Sequence, residues 1–205
     1  MGLMYIPVAA SGFPFSFADL FSKQGYDVCI ETGTYLGQTT GKLSKVFRLV
    51  YTIEISEEIY HTARKNLVFS KNVVKLLGSS CSFLPEILQN EKTSNIIFYL
   101  DAHYSGENTG KTRPLLEEIE IINNHANDNA IIIIDDARII NMKYCNERYC
   151  DLPTFITSLH NKNRYISLIN DQYIAVPMKF KEILDCYSTI YSTEENKAYK
   201  ERTRS

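Results

Sequence analysis

Two short stretches place acids where they can do chemistry: "LDAH", which contains Asp101 and His103, and "IIIIDDAR", which contains Asp135, Asp136 and Arg138. Four successive isoleucines must be withdrawn from water, yet the run ends on two carboxylates with nothing between them. Adjacent like charges repel and destabilise a fold unless something positive stands beside them. Asp101 and His103 are two positions apart, so on an extended chain they point to the same side. If the strand ending at Asp101 lies beside the one ending at Asp135, then Asp101, Asp135 and Asp136 converge on one small volume. Oxygen-only ligands of that kind suit a hard divalent cation such as Mg²⁺, which would offset the repulsion. His103, with an ordinary pKa of about 6.5, suits proton transfer at neutral pH. The plainer alternatives are an acid that caps the next helix and a solvated loop histidine.

These groups need a scaffold that brings strand ends together. Short apolar runs at 27–31, 49–54, 72–77, 95–100 and 130–135 alternate with amphipathic stretches, which predicts strands sandwiched between helix layers. Strand–helix alternation implies a mostly parallel sheet with right-handed crossovers and helices on both faces. In "TRPLLEEIEII", Leu115, Leu116, Ile119 and Ile122 define one helical face, and Glu117, Glu118 and Glu120 are read as its solvated side. "RYISLI" (164–169) and "QYIAVP" (172–177) flank Asn170-Asp171, which predicts an antiparallel hairpin closing one edge of the sheet. Residues 141–153 read as a long polar loop. The chain from Met178 is helical at best, and about 190–205 is polar enough to lack fixed structure. No repeat or linker divides the 205 residues, so a single domain is expected.

In an open parallel sheet, ligands bind beyond the carboxyl ends of the strands, where strand order reverses. The first strand runs into "ETGTYLGQTT" (31–40), whose Gly33 and Gly37 allow a tight turn and a close backbone approach. Its E-x-G-x-x-x-G spacing is not the G-x-G-x-x-G of dinucleotide binders, which disfavours an NAD-dependent oxidoreductase. Glu54 ends the second strand about 20 residues on, where a carboxylate can accept from ribose hydroxyls. Together these point to a nucleoside ligand. Gly78, Ser79 and Ser80 end the third strand and can offer small polar groups to a base, or simply start a helix. The loop 103–113 can close over an acceptor with Tyr104 as a wall. Arg138 can pair with an acidic group on that acceptor, or with an acid of its own chain.

Composition excludes more than it proposes. With 44% hydrophobic and 22% charged residues and a net charge of −2, the chain lacks the concentrated basic face that nucleic acid requires. No apolar run approaches the roughly 20 residues of a membrane span. The N-terminus lacks the basic start of a secretory signal, so the cytoplasm is the expected compartment. The five cysteines (Cys29, Cys81, Cys145, Cys150, Cys186) are irregularly spaced. Cys29 and Cys81 read as small buried hydrophobes in a reducing environment, and "CNERYC" without a second pair argues against zinc.

The order "ETGTYLGQTT", "YTIEIS", "LLGSSCSFLP", "FYLDAHYSG", "IIIIDDARI" resembles class I S-adenosylmethionine-dependent methyltransferases over about residues 27–140. Within that superfamily it is similar to the metal-dependent O-methyltransferases of the macrocin and novobiocin type, which modify sugars, and more distantly to catechol O-methyltransferases. The resemblance implies a Rossmann-like, doubly wound, mostly parallel seven-stranded sheet with an antiparallel C-terminal hairpin. It implies that Glu31, Gly33 and Gly37 cradle the methionine part of S-adenosylmethionine and that Glu54 binds its ribose, with Thr32, Thr34, Thr39 and Ile55 also in the cofactor site. Gly78, Ser79, Ser80 and Asp101 complete the cofactor site. Asp101, Asp135 and Asp136 are implied as magnesium ligands. The sugar-modifying relatives commonly carry D-G-D at strand four, so here, with Asp101-Ala102-His103, the base would be His103, and Asp101 is the other catalytic candidate. The implied partner is a small-molecule or glycan acceptor bordered by Tyr104 and Arg138, and a homodimer is an allowed assembly. The rival readings are a metal-independent methyltransferase acting on N or O of another metabolite, and a methyltransferase fold kept as a non-catalytic binding module.

Overall fold

The computed structural model describes residues 12–102, 113–140, 143–144, 147–148 and 150–202, with backbone alone at 143–144, 147–148 and beyond 192. His103 and Tyr104 lie outside the described residues, as does Cys145. In chain order, α1 (Phe15–Ser22) precedes β1 (Val28–Thr32), α2 (Gln38–Leu43), β2 (Leu49–Glu54), α3 (Glu57–Asn66) and β3 (Val73–Leu77). Then follow α4 (Ser80–Asn90), β4 (Ile96–Leu100), α5 (Leu115–His125) and β5 (Ile131–Ile134). The remainder is a small ladder of β6 (Lys143–Tyr144) and β7 (Glu147–Arg148), then α6 (Leu152–His160), β8 (Arg164–Ile169), β9 (Gln172–Pro177) and α7 (Lys181–Arg202).

Seven strands form one sheet in the order β3-β2-β1-β4-β5-β9-β8. The first five pair in parallel, and β9 runs antiparallel to both β5 and β8. Strand order reverses between β1 and β4, so the ligand crevice of such a sheet opens above Thr32 and Leu100.

The four isoleucines are explained by period-two alternation between two cores. Ile132 and Ile134 join Val28, Ile30, Phe98 and Leu100 beneath α4, α5 and α6. Ile131 and Ile133 join Cys29, Ile97 and Tyr99 on the other face, against α1 and α7. β3 departs from the expectation of a doubly covered strand: it is the sheet's edge, and Val74 and Leu77 are exposed. The hairpin turn is as expected, with Asn170 and Asp171 both at positive φ, 49° and 60°, the geometry of a type I′ turn that matches strand twist.

Two segments differ from the sequence reading. The expected loop 141–153 contains the β6–β7 ladder and the start of α6, where Asp151 accepts from the Thr154 amide at 3.3 Å and Pro153 sits in the first turn. Asp followed by Pro inside the next turn is a helix-start signal, and it was legible in the sequence. The stretch 190–205, expected to lack fixed structure, continues as helix to Arg202. Among the described residues no helix is long and apolar enough to cross a membrane. Cys29, Cys81, Cys150 and Cys186 are free thiols; Cys29 is fully buried, but Cys81 is only partly so.

Candidate functional site

The site begins where β1 ends. Gly33 has φ +85°, and a Cβ built there would lie 2.5 Å from the Asp101 carbonyl oxygen. The Gly33 amide donates to Ile53 O at 2.9 Å and the Asp101 amide to Thr32 O at 3.0 Å. Strands β1, β2 and β4 are thus laced together one residue beyond their ends, a closeness only glycine permits. The turn then closes through Gly37 N to Thr34 O at 2.9 Å, with Gly37 at φ +77° heading α2.

Glu31 sits beneath this turn, 1% exposed, its Oε2 accepting from the Thr40 hydroxyl at 2.5 Å and the Thr52 hydroxyl at 2.6 Å. The Thr34 hydroxyl lies 2.6 Å from that of Thr52. Thr40 and Thr52 went unnoticed in the sequence, where Thr39 was favoured; Thr39 is partly exposed, one helical position away. Burial pushes the Glu31 carboxyl up to about 8; the two threonine bonds oppose this, and Asp101 and Glu54 add to it.

An acid whose folded pKa is raised holds its proton after the unfolded chain has lost it. Its stabilising share is present in full below the unfolded value, 4.5, and is lost as pH rises towards 8. Wild-type stability is therefore expected to fall by on the order of a few kcal/mol between pH 5 and pH 8. Glu31→Gln keeps an acceptor for both threonines and removes the titration, so its stability curve should be flatter over that range. Chemical denaturation at several pH values checks this, and parallel curves for the two proteins would contradict it.

Glu54 ends β2 with both oxygens engaged, Oε2 by the Tyr35 amide and Oε1 by the Ser56 amide, each at 2.9 Å. A carboxylate has about four acceptor positions, so room for two further donors remains. Ile55, the next residue, is exposed and offers an apolar surface. Gly78 follows β3, its amide bonded to Glu54 O at 2.8 Å. Ser79 occupies the position before α4 but makes no side-chain cap bond. Ser80 is buried, and its hydroxyl lies beside the Glu118 carboxyl.

At the ends of β4 and β5 the aspartates do not meet as the metal reading requires. Asp135 follows β5 directly and its amide donates to Leu100 O at 3.1 Å, so the two strand ends are adjacent as expected. Its carboxylate, however, is committed: Oδ2 accepts from the Tyr99 hydroxyl at 2.5 Å, and Oδ1 from Gln172 Nε2 at 3.1 Å and from the Asp136 amide at 3.0 Å. Asp136 turns away at φ +52° and binds Arg138 Nη2 at 2.6 Å. Arg138 also pairs with Asp171 through Nη1, and its amide donates to Asp171 Oδ1 at 2.8 Å. Among the described residues no three His, Cys, Asp or Glu side chains are arranged to hold a metal ion. The repulsion between Asp135 and Asp136 is offset by Arg138 and neutral donors, and the residues do not fit a magnesium triad. Asp101 stays near Glu31 and Tyr99, whose electrostatics it shares.

Glu118 corrects the reading of α5. Expected on the solvated side, it is 1% exposed, and Oε1 has no hydrogen-bond partner among the described residues. Positions 115, 118, 119 and 122 follow the i, i+3, i+4, i+7 spacing of one helix face. That spacing was the available signal, masked by the neighbouring glutamates. Burial pushes the Glu118 carboxyl up to about 7, opposed by the hydroxyls of Ser80 and Thr32. It borders a recess at the carboxyl ends of β4 and β5, together with Leu100, Ala102, Leu115, Ile134 and Asp135.

No family model matches the chain, and no curated protein does either. Solved structures do. The O-methyltransferase TomG from Streptomyces achromogenes, involved in tomaymycin synthesis and crystallised with S-adenosylmethionine, superposes with TM-score 0.54 at 13% identity, over 84% of this chain and 83% of that one. An O-methyltransferase from Bacillus cereus in complex with S-adenosylhomocysteine gives 0.56 at 16%, over 83% and 84%. A putative caffeoyl-CoA O-methyltransferase from Staphylococcus aureus gives 0.55 at 16%, over 84% and 86%. At such identities the likeness is one of fold, and the chain has the Rossmann-like methyltransferase fold with its antiparallel C-terminal hairpin.

Proposed function

We propose that the protein is an S-adenosylmethionine-dependent O-methyltransferase whose acceptor is a hydroxyl of a sugar or glycan. The observation that carries this reading is the junction of β1, β2 and β4. There the Gly33 backbone closes so tightly on the end of β4 that a Cβ would lie 2.5 Å from the Asp101 carbonyl oxygen, and Glu31, Glu54 and Asp101 lie within electrostatic reach of one another. Acids gathered at a strand-order reversal favour a ligand that carries positive charge and donors, as a sulfonium amino acid joined to a nucleoside does. Gly33 and Gly37 would admit its methionine part, Glu54 would accept from the ribose, and Ile55 would pack on the base. The fold shared with O-methyltransferases supports oxygen as the acceptor atom. The sugar class rests on the "LDAHYSG" and "IDDAR" resemblance.

The bound cofactor supplies an activated methyl group on sulfur, so the chain's own task is alignment and proton removal. His103, two residues beyond Asp101, takes the proton from the acceptor hydroxyl. His103→Ala is expected to lower turnover about 100-fold or more while leaving affinity for S-adenosylhomocysteine within about twofold. A parallel loss of cofactor affinity would mark the histidine as structural.

No step in this reading runs through a metal, because among the described residues no three side chains are gathered to hold one, and Asp135 and Asp136 Oδ1 are paired with Tyr99, Gln172 and Arg138. Calorimetry should show one S-adenosylmethionine bound per chain and no NAD. Methyl transfer to a panel of sugars and nucleotide-sugars, followed with a labelled methyl group, should persist in EDTA. Activity that vanishes with EDTA and returns with Mg²⁺ would show that these carboxylates rearrange to bind metal during the reaction.

A further inference from the structure

The small net charge of the chain conceals an uneven distribution, and with it a basic face that the total did not reveal. Residues 36–53 and 61–85 carry seven lysines and arginines and not one aspartate or glutamate. The fold brings the two stretches together. Asn72 Nδ2 donates to Ser44 O and to Phe47 O, both at 2.8 Å, and the Ser44 and Ser70 hydroxyls lie 3.4 Å apart. Arg48 is held by Asp27, whereas Lys45, Arg64, Lys65 and Lys71 are exposed. Burial and then the neighbouring Arg64 lower the Lys75 ammonium below its ordinary range, a mark of crowded like charge.

Within this basic corner, the turn from α3 to β3 displays two apolar side chains in succession. Phe69 is 91% exposed and Val68 64%. The turn is not free to hide them. Leu67 before it and Val73 after it are buried, Leu67 lies against Gly37 and Gly41, and the Val73 amide donates to Ser70 O at 3.3 Å. Both ends are pinned to the body of the protein, and the tip between them faces water. A contiguous apolar tip rimmed by charge marks a surface made for contact.

We propose that this corner docks the protein on an anionic lipid bilayer, with Val68 and Phe69 inserted at the headgroup–acyl boundary and the surrounding lysines and Arg64 against the charged headgroups. Peripheral binding draws on both terms, apolar area buried and attraction to anionic lipid. Two side chains on a convex turn suit a deformable headgroup layer. They are too few for a stable protein interface, which buries about 800 Å² on each partner. Nucleic acid would engage the cations and gain nothing from Val68. The turn leads into the amino end of β3, whereas the crevice opens beyond the carboxyl ends of the parallel strands, so docking leaves the crevice accessible. One short tip gives reversible rather than permanent attachment.

Flotation of the full chain with vesicles tests this without cofactor or acceptor, so the outcome is independent of the methyl-transfer reading. The vesicles are phosphatidylcholine alone or phosphatidylcholine with about one-third phosphatidylserine. The chain should float with the anionic vesicles and not with the neutral ones, and binding should weaken as salt is raised. Phe69→Ser should weaken binding about tenfold or more. Lys65→Glu combined with Lys71→Glu should do the same. Lys179→Glu, beyond β9 and away from β3, should leave it within about twofold. All four side chains are exposed, so thermal unfolding should match wild type and show that the variants fold. No flotation, equal flotation with neutral vesicles, or wild-type binding by Phe69→Ser would overturn the inference. So would binding of a single-stranded oligonucleotide in place of vesicles, weakened by the lysine pair and spared by Phe69→Ser, which would assign the corner to nucleic acid.

Discussion

Asp135→Ala is expected to lower the stability of the protein by on the order of 3 kcal/mol or more, as measured by denaturant unfolding. Asp135 is buried and receives three donors: the Tyr99 hydroxyl, Gln172 Nε2 and the Asp136 amide. Removing it strands all three beneath the sheet edge, and each buried orphan costs about 1–3 kcal/mol. Relief of repulsion acts in the opposite direction, but it is small because Arg138 already stands beside Asp136 at 2.6 Å. The lost bonds dominate. Gln172 also holds Gly12 O at 2.7 Å, so the N-terminal segment should loosen together with the hairpin. Tyr99→Phe should cost less, and its cost should shrink by about 1 kcal/mol in the Asp135→Ala background, since the two share one bond. Full additivity would mean that the bond contributes nothing. An Asp135→Ala protein as stable as wild type would show that the paired acids do not depend on this network.

Gly33→Ala is the second large effect. The new Cβ would lie 2.5 Å from the Asp101 carbonyl oxygen and 2.9 Å from its carbon, both backbone atoms that cannot swing aside. The positive φ adds the left-handed penalty of about 1–2 kcal/mol. The combined expectation is a loss of about 3 kcal/mol or more in stability and of about 100-fold in S-adenosylhomocysteine affinity, because β1 and β4 must part where the cofactor would sit. Gly37→Ala provides the contrast. Its φ is similar, +77°, but its Cβ would meet Leu67 Cδ1 at 2.9 Å, the far end of a flexible side chain. That variant should lose about half as much or less. Calorimetry and thermal unfolding of the two proteins side by side check the ranking, and the reverse order would contradict the junction described above.

The strands, their alternation and the Asn170-Asp171 hairpin were determined by the sequence itself, because the forces behind them act within a few residues. An apolar run with β-branched residues selects a strand, and two polar residues that tolerate positive φ select its turn. The adjacency of β4 and β5 followed from strand–helix alternation and the handedness of crossovers. The partner of each acid was a different matter. Asp135 meets Tyr99 and Gln172 from 36 and 37 positions away, and Arg138 meets Asp171 from 33. Residue types alone made a cation as good a candidate as a tyrosine, a glutamine and an arginine for balancing Asp135 and Asp136. Only the packing of β4 and β9 on either side of β5 brought Tyr99 and Gln172 to Asp135, and the turn after β5 brought Arg138 to Asp136. Glu118 stands between these cases. Its helical spacing announced the inward face, yet its charge argued for water, and burial against Ser80 and the recess was settled only once α4 and α5 packed on the sheet. Local pattern fixes which face a residue occupies, whereas the pairing of charges depends on contacts between elements distant in the chain.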